Sequence, residues 1–226
     1  RRSLPNADIS RIDRVQNKSL WCKYVLAKAD IASSIPNPRE ILAWHSTNTT
    51  DPRLIYSDWK AGFDVNRSII EIEFQRNANG EIVHRKFLKA NNKSYGTGVY
   101  LAEHAIYPDT IFPHVRPQNT ADGGKKQLLL AKVVLGNCLD HKSTIPDLRA
   151  AIEPEGYHSI TGTEDDMKFL LEHRAALLAQ NGWTNAHEQL IAQGAEYGRQ
   201  YVVHRSNQVY PAYLITYENE SQPLPQ

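Results

Sequence analysis

Between Ile69 and Phe74 apolar and acidic residues alternate, with Ile70, Ile72 and Phe74 set against Glu71 and Glu73. A second strand-type segment, Ile82 to Leu88, follows Asn77-Ala78-Asn79-Gly80, so the pair predicts a β-hairpin with a glycine-containing turn. Short apolar runs predict further strands at Ile41 to Trp44, Val99 to Ala102, Gln127 to Leu135, Tyr201 to Val203 and Ala212 to Tyr217. The last two flank a proline-containing turn. The run from Gln127 is almost wholly apolar, as in a strand buried on both faces.

Elsewhere the spacing is helical. Ile12, Val15, Leu20, Trp21, Tyr24 and Val25 approximate one stripe from Ile9 to about Ala29, interrupted at the turn-prone Asn17-Lys18-Ser19. Leu54 to Ala61 reads as a helix stopped by Gly62. From Thr163 to Gln180 a capping threonine and Glu164, Asp165 and Asp166 suit a helix N-terminus, and Met167, Leu170, Leu171, Leu177 and Leu178 form its stripe. Thr184 to Gln193 predicts a second short helix. The polar, proline-rich tail, 218–226, is expected to fray. Without a repeat or a flexible linker, 1–226 reads as a single α+β domain.

Composition narrows the function classes. Twenty-six basic residues against 25 acidic give a net charge of +1, so the chain carries no global electrostatic footprint for nucleic acid. Cys22 and Cys138, the only two cysteines, build neither a disulfide framework nor a zinc site unaided and are expected to be buried free thiols. No apolar run reaches the ~20 residues that span a bilayer, so no membrane insertion is expected. The chain opens at Arg1 without a signal-peptide pattern and has Met167 as its only methionine, which suggests a domain taken from a longer polypeptide.

Walker A, HExxH, nucleophile-elbow and paired-CxxC patterns are missing, and no metal site is expected. Gly96-Thr97-Gly98 is too short for a dinucleotide fingerprint. Its surroundings carry more. The string Tyr95-Gly96-Thr97-Gly98-Val99-Tyr100-Leu101-Ala102 resembles the Y-G-x-G-V-Y-F-A segment of poly(ADP-ribose) polymerase catalytic domains. Trp44-His45-Ser46-Thr47 is similar to that family's H-G-T/S strand end, and Gln208 to Tyr217 to its closing strand, as in tankyrases. Ala121-Asp122-Gly123 with Leu130 to Gly136, and Tyr157-His158-Ser159-Ile160, match two further segments in the family's order. Arg11 to Asn17 with Leu20-Trp21 resembles the opening segment of the mono-transferase branch.

The resemblance implies a split β-sheet half-barrel flanked by helices, with the Ile69–Leu88 hairpin and the Thr163–Gln193 helical segment as insertions near the cleft rim. It also implies NAD as co-substrate. His45 would hydrogen-bond the adenosine ribose, and the backbone at Ser46 would face the carboxamide. Thr47 and Gly98 would line the cleft, Tyr100 would stack on the nicotinamide ring, and Phe112 would close its other face. The catalytic set would be His45, Tyr100 and Gln200. Alone, His45 is a strand-end histidine and Tyr100 a core aromatic; the order of the segments gives them their roles.

Three departures qualify the match. Ser46 replaces glycine, Pro108 aligns with the family's carboxamide-binding serine, and Gln200 replaces the polymerase glutamate. An amide hydrogen-bonds ribose hydroxyls but accepts no proton, which points to transfer of one ADP-ribose to a protein or RNA acceptor rather than to chain growth. No nearby acid is clearly placed to stand in for the missing glutamate: Glu196 is four residues upstream, roughly 13 Å in an extended run, and Glu103 and Asp109 are the remaining candidates. Arg76, His84, Arg85 and Lys86 form either a substrate-facing patch or a solvated face. A regulatory domain and the toxic end of a secreted effector, the latter with a neutralising immunity protein as partner, both fit, with action in an NAD-containing compartment. The alternatives are a catalytically silent NAD-like binding module and an NAD glycohydrolase.

Overall fold

A computed structural model describes residues 4, 7–57, 61–63, 71–76, 82–88, 98–111, 113–141, 156–162 and 198–219. Strand β1 (Ala7–Arg14) leads to helix α1 (Lys18–Ser34), strand β2 (Glu40–His45) and a short helix α2 (Arg53–Tyr56). The hairpin β3 (Glu71–Arg76) and β4 (Ile82–Leu88) follows, then β5 (Val99–Ala102) and α3 (Ile106–Ile111). The remaining strands are β6 (His114–Val115), β7 (Lys126–Val134), β8 (Cys138–His141), β9 (Ser159–Gly162), β10 (Gln200–Val203) and β11 (Val209–Asn219).

Nine strands form one open mixed sheet in the order β1-β11-β7-β2-β5-β10-β9-β8, with β6 against β7, and the hairpin stands as its own two-stranded sheet. β8 runs parallel to β9, and the other pairings are antiparallel. The α+β architecture expected from the sequence holds, and the sheet is not closed. At its centre Ala43, Leu129, Ala131 and Val133 are fully buried and pack with Leu101, Tyr201 and Val203. Burying such side chains gains roughly 1.5–3 kcal/mol for each large one, so this seam of β7, β2, β5 and β10 dominates the core.

Asn17 ends the first strand region and starts α1. Its Oδ1 accepts from Leu20 N at 3.0 Å and its Nδ2 donates to the Tyr56 carbonyl, which ties the helix start to α2. The helix buries Leu20, Tyr24, Ala27 and Ile31, and Leu20, Tyr24 and Ile31 pack with Tyr210, Ala212 and Val134.

Five expectations need correction. The segment before Asn17 is strand rather than helix: a register shift between Ile9 and Arg11 inserts Ser10 as a bulge, so Ile9 and Ile12 face Tyr217 and Ile215 on one side of the ladder. A helix-like spacing of three thus becomes a single strand face. Helix α2 stops at Tyr56, and Gly62 adopts φ +146° well beyond its end. Pro211 lies inside β11, where the register shifts between Pro211 and Tyr213, while the turn before it is the short 3-10 segment Ser206–Gln208. Cys22 is exposed on α1 and Cys138 only half-buried. Glu218 and Asn219 are paired with Asp8 and Ala7 rather than frayed. The segments 163–197 and 220–226 lie outside the described residues, as do the hairpin's side chains.

Candidate functional site

The site gathers where β2 and β5 part. Among the described residues these strands share one register pair, Trp44 opposite Ala102, whereas β5 and β10 pair through four positions. Beyond Trp44 the imidazole of His45 spans the gap, with Nδ1 2.8 Å from the carbonyl oxygen of Tyr100 and its ring edge-on to Phe63 at 5.1 Å between centroids. A carbonyl only accepts, so Nδ1 carries the hydrogen. Burial pushes the pKa of His45 below 6.5, against the opposing pull of the Tyr100 carbonyl. Near neutral pH its Nε2 is therefore a lone-pair acceptor, suited to a hydroxyl donor.

Tyr100 is partly buried, and burial holds its phenol well above the ordinary value, so the ring is neutral. Tyr100 lies opposite Val202, and Gln200 opposite Ala102. Directly paired residues of an antiparallel ladder share a face, so Tyr100 and Gln200 emerge on the same side of the sheet. That side is opposite Leu101, Tyr201 and the main core. Gln200 is 8% exposed; Thr161 Oγ1 donates to its backbone carbonyl at 2.8 Å, and its carboxamide has no hydrogen-bond partner among the described residues.

Short-range bonds shape the loop after His45. Ser46 Oγ accepts from Asn48 N at 3.4 Å, Thr47 O accepts from Thr50 N at 3.0 Å, and Asn48 adopts φ 51°. Ser46 is not among the residues of positive φ, so a side chain is tolerated where the family carries glycine. Thr47 Oγ1 is buried without a partner among the described residues. Gly98 has a different reason for being glycine: a Cβ there would meet Val203 O at 2.7 Å and Val202 Cγ1 at 2.5 Å, so it lets β5 approach β10. Pro108 is buried within α3. Phe112 lies outside the described residues.

Both described candidates for the missing acid are hydrogen-bonded to groups other than the Gln200 side chain. Glu103 follows Ala102, which by alternation sends it to the opposite face, and its Oε2 accepts from Arg199 N at 3.0 Å. Asp109 is fully buried: Lys126 Nζ donates at 2.8 Å, Tyr217 Oη at 2.6 Å and Asn219 Nδ2 at 3.3 Å. Glu196 lies outside the described residues. Sequence reasoning missed Thr161 and His114, whose Nδ1 donates to Asn48 O at 2.6 Å. Neither belongs to a motif, and each gains meaning only through strand pairing.

The family model of the poly(ADP-ribose) polymerase catalytic domain matches residues 2–219. The chain belongs to that family, whose activity is ADP-ribosyl transfer with NAD as co-substrate. It is 27% identical over 180 residues to a probable poly(ADP-ribose) polymerase of Dictyostelium discoideum, a stretch covering 75% of this chain and 42% of that relative. The chain thus corresponds to less than half the length of that protein.

Proposed function

We propose that this chain is an NAD-dependent mono-ADP-ribosyltransferase, moving one ADP-ribose unit to a macromolecular acceptor and releasing nicotinamide. The observation that carries the reading is Gln200: an amide rather than an acid on the sheet face of Tyr100, without a side-chain hydrogen bond among the described residues, with Glu103 and Asp109 already hydrogen-bonded to other groups. His45 Nε2 would accept from an adenosine-ribose hydroxyl, Tyr100 would present its ring to nicotinamide, and Gln200 would bond the hydroxyls of the nicotinamide ribose. When the bond from nicotinamide nitrogen to ribose C1 breaks, its electron pair leaves with nicotinamide. The acceptor oxygen then bonds to C1, and any proton it carries passes to solvent. Nicotinamide is a good leaving group, so positioning and charge stabilisation do most of the catalysis.

Chain growth needs more. A ribose hydroxyl is a weak nucleophile near neutral pH, and an amide at position 200 cannot take its proton. Acceptors bringing their own nucleophile, a carboxylate or a phosphate, suit the site. The test is gel analysis of protein and RNA from lysate incubated with labelled NAD, using the unaltered chain and Gln200→Glu. Discrete single-unit products from the unaltered chain support the reading. Long polymers from it, or label released only as free ADP-ribose, overturn it.

A further inference from the structure

We propose that His114 is a positioning residue that sets the loop from Ser46 to Asp51, and through it the affinity for NAD; this rests on the reading that the loop after His45 faces the dinucleotide. His114 belongs to the two-residue strand β6, distant in sequence from the loop, and is 6% exposed. Its backbone is fixed by pairing with Gln127 on β7, and Gln127 is itself buried, donating to Thr216 Oγ1 at 2.9 Å. From that anchored position Nδ1 reaches the carbonyl of Asn48 at 2.6 Å. A carbonyl only accepts, so this nitrogen carries the hydrogen, and the bond is available whether the ring is neutral or charged.

The loop needs such a tie. Asn48 sits in the left-handed region at φ 51°, which costs an L residue conformational energy even where asparagine lessens it. The loop's own links include the Thr47–Thr50 turn and the 3.4 Å contact from Asn48 N to Ser46 Oγ. On its far side Asp51 Oδ1 accepts from Arg53 N at 2.9 Å and starts α2. Arg53 holds the Asp51 carboxylate below its ordinary pKa, and His114 adds a smaller attraction, placing the imidazole within electrostatic reach of the loop's end. The loop is therefore held at His45, at Asp51 and, between them, by the buried imidazole of another strand. Ser46 and Thr47, the two positions nearest the split, lie between the first and last of these fixed points.

The chemistry predicts which replacement keeps the function. Asparagine places its Nδ2 where histidine places Nδ1; leucine and phenylalanine fill the space without a donor. Calorimetry with NAD on the full chain is expected to give about tenfold weaker binding for His114→Leu and near-native binding for His114→Asn. Amide exchange from Asn48 to Asp51 should quicken in the first variant and not in the second. His114→Phe repeats the loss with a ring retained, should the leucine variant fail to fold. Equal weakening by the asparagine and apolar variants would overturn the proposal in favour of simple packing, as would native affinity in His114→Leu. If the unaltered chain binds no NAD while the exchange pattern is as expected, the NAD site is wrong and His114 merely orders the loop.

Discussion

Thr161 on β9 donates its hydroxyl to the carbonyl of Gln200 on β10 at 2.8 Å, with both residues buried. The bond supplements the ladder at the strand end where the proposed triad terminates. Thr161→Val keeps shape and removes the donor, leaving a buried carbonyl one partner short. The expected cost is about 1–2 kcal/mol in denaturant unfolding. Turnover with NAD should fall more than NAD affinity, because the acyl oxygen being held belongs to the residue that orients the ribose.

His45→Ala with Tyr100→Ala is expected to abolish NAD binding in calorimetry while circular dichroism remains native. The single residue His45 also carries a pH signature. Its folded pKa lies below 6.5, so above pH 6.5 folded and unfolded chains are both neutral there. As pH falls from 6.5 toward the folded value the unfolded chain binds the proton first, and stability declines. His45→Gln should flatten that part of the profile in chemical denaturation across pH 7 to 5.

Glu40 governs a more acidic window. Burial opposes its ionisation, but Lys28 Nζ at 2.8 Å, Tyr24 Oη at 2.7 Å and Lys132 Nζ at 2.9 Å outweigh it and bring its pKa from 4.5 to about 2. The stability this confers is fully present above pH 4.5 and is lost as pH falls toward about 2. Glu40→Gln is expected to make acid unfolding shallower over that interval and to lower stability at pH 7.

Asp109 anchors α3 to β7 and β11. Tyr217→Phe removes one of its three described partners and should cost about 1–2 kcal/mol. Asp109→Ala leaves the Lys126 ammonium without its buried counter-charge and should cost about 3–5 kcal/mol. A similar loss for both variants would show that the hydroxyl, rather than the ion pair, is the principal tie; thermal unfolding of the two side by side decides.

The strands around the split were legible because each is an apolar run short enough to read alone. β2, β5, β7, β10 and the hairpin all fall within a residue or two of their expected bounds. β1 was misread because its bulge at Ser10 turns a spacing of three into one strand face, and no single-sequence period reveals a bulge. Pro211 was misread for the related reason that an irregularity in pairing tolerates a residue with no N–H to give. At the candidate site the resemblance pointed to His45, Tyr100 and Gln200, whereas Thr161 and His114 were hidden. Their partners lie 39 and 66 residues away, so only the folded register brings them near.

With Trp44 and Ala102 as the one register pair between β2 and β5 among the described residues, the sheet resembles two plates welded at a point. One plate carries His45; the other carries Tyr100 and Gln200. A dinucleotide touching all three residues would lie across the weld as a stitch, coupling plates that the backbone joins only narrowly. Its binding would then raise the cooperativity of unfolding as well as the midpoint, and amides of β2, β5 and β10 would slow together in exchange rather than plate by plate.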